Sequence, residues 1–124
     1  MFTVIKKIEV AGSHHLCLPY ESKCSNVHGH NWKVKITFQT DTLDSLGMAI
    51  DFKVLKAKLW EILNQLDHTF LNELPIFKDI NPTSENIARY IFESISESFK
   101  GSSLSLLEVE LQESDKVSVI YSNA

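Results

Sequence analysis

Apolar residues in this chain recur with period two near its start, with helical period through its middle, and with period two again near its end. That succession leaves few ways to fold. Ile8, Val10, Gly12 and His14 alternate with Lys7, Glu9, Ala11 and Ser13, which predicts a half-buried strand. Residues 19–27 read as a loop. A clearer strand follows, in which Trp32, Val34, Ile36 and Phe38 alternate with Lys33, Lys35, Thr37 and Gln39. After a polar connection over 40–47, Asp51 can cap a helix whose Leu55, Leu59, Ile62 and Leu66 share one face. Asn81-Pro82-Thr83-Ser84-Glu85 announces a second helix, with Thr83 or Ser84 as cap and Glu85 favourable in the first turn. Ile87, Ile91, Ile95 and Phe99 form its stripe, and Gly101 ends it. Two strands over about 104–113 and 117–121, joined by Ser114-Asp115-Lys116, complete the order ββααββ. The expectation is an α+β domain with an antiparallel four-stranded sheet.

At 124 residues the chain fits one domain, 1–124, able to bury roughly two thirds of its unfolded surface. A net charge of −4 gives no reason to expect nucleic-acid binding. Arg89 is the only arginine, so phosphates on a ligand must be met mostly by lysines or backbone amides. No apolar run approaches the roughly 18 residues needed to cross a membrane. Met1 to Lys7 puts its charges after its apolar residues, unlike a signal peptide. A cytoplasmic location is therefore expected. Cys17 and Cys24 would there be catalytic, metal-binding or inert rather than disulfide-bonded.

Chemistry concentrates in the histidines. His28 and His30 lie two apart on a strand, so their rings share a face. Carrying the parity of Trp32 and Val34 backward places both on the apolar side. The same parity puts His14, and not His15, with Ile8 and Val10. Three neutral nitrogen ligands would leave the fourth tetrahedral position of a zinc ion open, as in a catalytic site. A His-x-His pair alone is a weak signal, and the third histidine of matching parity strengthens it. Cys24, four residues before His28, is open to three readings: a reactive thiolate near zinc, a fourth ligand closing the site, or a small apolar residue. Asp67-His68 at the end of the first helix is either surface decoration or a carboxylate that sets an imidazole for proton transfer. Glu113 falls on the face expected to hold Leu107, Val109 and Leu111, where an unpaired carboxylate is costly. It then needs a partner such as the donor pair of an amino-pyrimidinone edge, unless the strand has already ended and it is solvated.

Six motifs now stand in order: Ser13-His14-His15-Leu16, Cys24-Ser25-Asn26-Val27-His28-Gly29-His30-Asn31, Gly47-Met48-Ala49-Ile50-Asp51-Phe52, Leu66-Asp67-His68, Pro82-Thr83-Ser84-Glu85-Asn86 and Glu113-Ser114. Together they are highly specific. From about Ile8 to Tyr121 the chain resembles the 6-pyruvoyltetrahydropterin synthase family, and more closely its 6-carboxytetrahydropterin synthase branch of queuosine biosynthesis. The resemblance implies zinc on His14, His28 and His30, Cys24 as general base, and Asp67 with His68 completing a proton relay. It also implies a pterin ring anchored by Glu113 with Thr83 and Ser84, and 7,8-dihydroneopterin triphosphate as substrate. The implied tunnelling fold lays two helices on one face of the sheet. Trimers close their sheets into a barrel, two trimers stack into a homohexamer, and active sites lie between subunits. Three residues separate Cys24 from His28, the spacing of the carboxy-forming branch. The alternatives are the pyruvoyl-forming synthase, a structural zinc protein with Cys24 as fourth ligand, and a zinc hydrolase. His15 stands where the family often has arginine, which leaves it open as a competing ligand or a triphosphate contact.

Overall fold

The computed structural model describes residues 1–123. Two long strands, β1 (Phe2–His14) and β2 (His28–Thr40), pair antiparallel over their whole length. Helix α1 (Phe52–Leu63) and a short strand β3 (Thr69–Phe70) follow, then helix α2 (Ser84–Ser98), β4 (Ser105–Ser114) and β5 (Val117–Ser122). The sheet order is β3-β1-β2-β4-β5. The fold is α+β as the periodicities predict, but the sheet has five strands where the sequence suggests four. The extra strand lies parallel to β1 at Gly12 and Ser13, and its two residues are too few to show a periodicity. Strand β1 also starts earlier than the alternation from Ile8 indicates.

Both helices cover one face of the sheet. Ile8, Val10, Trp32, Val34, Ile36, Phe38, Val109 and Leu111 meet Leu55, Leu59, Leu63, Ile87, Ile91 and Ile95 in a single buried cluster. Asp51 caps α1 by accepting the Lys53 N–H at 2.8 Å, and Thr83 caps α2 by accepting that of Asn86 at 3.1 Å. Two details depart from the sequence reading. Helix α1 ends at Leu63, so Leu66, though buried, belongs to the following turn, which closes with His68 in the left-handed region at φ 55°. In β4 a bulge opposite Thr37 and Phe38 puts Leu106 against the core and turns Leu107 outward, where strict alternation places Leu107 inside.

Gly12 lets the turn after α1 close onto β1. A Cβ there would lie 2.9 Å from Cζ3 of Trp32, a buried ring that cannot withdraw, and 3.2 Å from the Thr69 carbonyl. Gly12→Ala is therefore expected to destabilise the fold by about 1–3 kcal/mol through overpacking. Urea titration should show a lower midpoint at unchanged slope, and an unmoved midpoint would mean the contact relaxes at no cost.

A candidate metal centre where the long strands end

His14 and His28 are directly opposed partners at the end of the β1–β2 ladder, and His30 faces Gly12, which offers no competing side chain. The three rings pack edge to face with centroids 4.5 Å (14–28), 5.2 Å (14–30) and 4.9 Å (28–30) apart. One ligand nitrogen from each lies within 4.8 Å of the others. Backbone carbonyls select the tautomers of two of them. His14 Nδ1 lies 2.7 Å from the Pro82 oxygen and His28 Nδ1 2.8 Å from that of Asn26, so each Nδ1 donates and each Nε2 keeps its lone pair. His14 is 1% exposed, and its Nε2 and that of His30 are buried without a hydrogen-bond partner among the described residues. Such orphaned nitrogens are costly in a closed protein and are what a metal ligand set requires. Burial holds both imidazoles below their ordinary pKa, and His28 acts in the same direction. The Pro82 hydrogen bond and Glu113 oppose this for His14, and Glu113 opposes it for His30. Both rings are thus neutral at neutral pH, the form that binds a metal. The donor set fits zinc.

Glu113 sits at a second bulge in β4, as the extra residue between the Gln112–Ser118 and Ser114–Val117 pairs. Its carboxylate turns toward the histidines, with Oε1 3.3 Å from His30 Nε2 and 4.0 Å from His14 Nε2. Ser84 Oγ donates to the same oxygen at 3.2 Å. Glu113 therefore belongs to the strand and is not a solvated residue beyond it.

These groups line an open cleft of about 580 Å³, within the range that holds a small organic ligand. Cys24 and Thr83 line it too. A short turn over Lys23–Ser25 presents Cys24, whose N–H is held by Ser22 Oγ at 3.1 Å and whose carbonyl accepts the Leu16 N–H at 2.8 Å. The Cys24 sulfur is not among the atoms that converge with the three imidazole nitrogens, which disfavours a closed four-ligand site. His15 is outside the cluster: its ring stacks on Phe70 and lines a separate cleft beside Lys78. Asp67 and His68 do not line the metal cleft either. They stand at the edge of β1, where Asp67 Oδ1 accepts the Ala11 N–H at 2.9 Å and Oδ2 lies 2.9 Å from His68 Nδ1. The His68 side chain is 81% exposed.

Sequence reasoning missed three participants. The Pro82 and Asn26 carbonyls carry no side-chain signature. Lys23, a cation in the cleft lining, could have been found by asking which lysine flanks the cysteine.

A family model described as 6-pyruvoyl tetrahydropterin synthase matches residues 3–124. A protein of Archaeoglobus fulgidus named putative 6-carboxy-5,6,7,8-tetrahydropterin synthase is 40% identical over 80 residues, 64% of this chain. That match spans 65% of the archaeal protein, just under two thirds of it. The 6-carboxy-5,6,7,8-tetrahydropterin synthase of Synechocystis sp. is 35% identical over 102 residues, covering 78% of this chain and 77% of its own. Among solved structures, 6-pyruvoyl tetrahydropterin synthase of Caenorhabditis elegans superposes with a TM-score of 0.87 at 27% identity, covering 99% of this chain and 96% of its own.

The protein is expected to take up about one zinc per chain, and His28→Ala to weaken zinc binding at least roughly a hundredfold, as measured by elemental analysis after dialysis. Full zinc retention in that variant would remove His28 from the ligand set. A second expectation concerns Asp67, whose carboxyl is held below its usual value of 3.8 by the Ala11 N–H first and by His68 beside it, against a desolvation penalty. A depressed carboxyl contributes stability above its unfolded pKa and loses it as pH falls through the folded value. Asp67→Asn should thus be less stable than the natural chain by up to about 1 kcal/mol near neutral pH. The gap should narrow below about pH 4. A gap that stays constant with pH would show that the charge contributes nothing.

Proposed function

The chain belongs to the 6-pyruvoyl tetrahydropterin synthase family, and from that premise we propose that it is a zinc-dependent enzyme converting 7,8-dihydroneopterin triphosphate and one water to 6-carboxy-5,6,7,8-tetrahydropterin, triphosphate and acetaldehyde. The observation that carries this reading is the convergence of three imidazole nitrogens in a cleft that also presents a free thiol and a buried-side carboxylate. His14, His28 and His30 would hold the metal, which supplies Lewis acidity toward the side-chain hydroxyls of the substrate when bound. Glu113, oriented by Ser84 Oγ, accepts the amino and ring N–H groups of the pterin, and Thr83 beside it helps to seat the ring. Cys24 then removes the proton from the side-chain carbon next to the hydroxyls, and triphosphate leaves. Lys23, on the same wall as Cys24, is the cation placed to meet the triphosphate.

Asp67 and His68 would return a proton to the ring. Their distance from the cleft lining within one chain supports an active site completed by a neighbouring subunit, which would bring its exposed His68 to this cleft. The sheet supports such an assembly. Among the described residues the outer edge of β1 pairs only at Gly12 and Ser13, β5 is the edge strand on the other side of the sheet, and Ile5, Leu107 and Ile120 are exposed. Joining such edges between chains would cover unpaired backbone groups and build the trimeric barrel, two of which stack into a hexamer. The three-residue interval between Cys24 and His28 favours the carboxy-forming reaction over the pyruvoyl-forming one, in line with the names of the archaeal and cyanobacterial relatives. The cytoplasm is the compartment we assign; among the described residues no helix is long and apolar enough to cross a membrane.

Zinc-loaded protein given 7,8-dihydroneopterin triphosphate should yield the 6-carboxy product and acetaldehyde by mass analysis. Cys24→Ala should lose roughly a hundredfold or more in rate while still binding zinc. A pyruvoyl product would move the protein to the other branch, and undiminished turnover without the thiol would point to a metal-activated water instead.

A further inference from the structure

Past His14 the backbone of β1 leaves the ladder, yet its polar groups stay paired. The Asn72 side chain accepts the His15 N–H at 2.9 Å and donates to the His15 carbonyl at 3.0 Å. Asn81 does the same for Cys17, also at 2.9 and 3.0 Å. A side-chain amide carries the donor and acceptor of a peptide group, so the two asparagines continue the strand's hydrogen bonding beyond its last residue. Asn81 differs from Asn72 in how its own backbone is held. Its carbonyl accepts Asn86 Nδ2–H at 2.9 Å and the Thr83 N–H at 2.8 Å. Between Asn81 and Thr83 stands Pro82, whose carbonyl accepts from His14 Nδ1. Proline has no N–H of its own with which to anchor that peptide, so the position of its carbonyl depends on the residues either side.

We propose that Asn81 is a positioning residue for the metal centre: by clamping Cys17 and anchoring its own carbonyl, it fixes the Pro82 carbonyl that keeps His14 Nε2 free for the ion. The proposal rests on the metal-centre reading given above. His14 is buried, so no bulk water stands ready to replace a lost carbonyl. If the Pro82 oxygen moves away, Nδ1 and Nε2 compete for the proton, and the ring spends part of its time with its lone pair facing away from the cleft. Partners of this kind, one bond removed from the metal, typically change metal affinity ten- to a hundredfold.

The test uses the full chain and two readouts. Zinc affinity is measured by competition with a chromogenic chelator. The His14 tautomer is read in metal-free, 15N-labelled protein from long-range ring correlations. Asn81→Ala should weaken zinc binding roughly ten- to a hundredfold and give His14 a mixed tautomer signature. Asn81→Asp, which keeps the acceptor for the Cys17 N–H but loses the donor, should fall between the two, and it decides the matter should the alanine variant not fold. Asn72→Ala releases His15 without touching Pro82 and should keep the natural affinity and tautomer. Unchanged affinity and tautomer in both Asn81 variants would overturn the clamp. So would an equal loss in Asn72→Ala, which would reduce it to general loosening. A natural chain that holds no zinc would sink the metal-centre reading itself, while the tautomer readout would still decide whether Asn81 governs His14.

Discussion

Pairing His14 with His28 does two things at once: it sets which face of the sheet is apolar, and it brings together at the sheet's end the rings that could hold a metal. Strand side chains alternate, so a slip of one residue in this register would turn Ile8 and Val10 to the face opposite Trp32 and Val34 and part His14 from His28 and His30. The core therefore specifies the site. Burying the long alternating run along β1 and β2 is worth far more than any single contact among the histidines, and it holds them in place whether or not a metal is bound. His14 shows the consequence. It is the last paired residue of β1, it is almost wholly buried, and burial makes it neutral.

The irregular points of the fold all bear on that end of the sheet or on how it is supported. Gly12 gives up a side chain so that the turn after α1 can reach β1. That turn carries Asp67 and His68, the second held at a positive φ that a histidine seldom adopts, with its N–H on the Ala11 carbonyl. The bulge at Glu113 brings a carboxylate to the histidines without ending the strand. Bulges commonly re-aim a side chain next to a functional site, and here the residue so aimed is the acid that would hold the ligand. Ser84, in the first turn of α2, meets it from the helix side. One strand pair, one bulge and one helix start thus supply the three imidazoles, the carboxylate beside them and the hydroxyl that orients it.

Much of this was legible in the sequence because it rests on periodicity. The alternation through Trp32, Val34, Ile36 and Phe38 identified β2, and extending it backward put His28 and His30 on the face where the structure has them. Helix α2 was readable from Thr83 and its apolar stripe. Other features were not, each for a local reason. The two residues of β3 show no pattern, Leu107 looked inward until a bulge shifted the parity, and Leu66 matched a helical spacing that the chain had already left. His15, open in sequence as a rival ligand, lies just past the last residue of β1, outside the histidine cluster, and stacks on Phe70.

By itself the sequence determined the α+β class and the shared face of the three histidines that could hold a metal, because side-chain parity and helical spacing are properties of local backbone geometry. Only the tertiary structure decided which atoms those histidines present to the cleft. The Pro82 carbonyl reaches His14 across 68 residues of chain, and Ser84 reaches Glu113 across 29. Such pairings depend on how distant segments pack, and a backbone carbonyl leaves no mark on the residue that carries it. The separation of Asp67 and His68 from the cleft is likewise a matter of three dimensions, since their place beside Ala11 is set by a short parallel strand that sequence spacing does not announce.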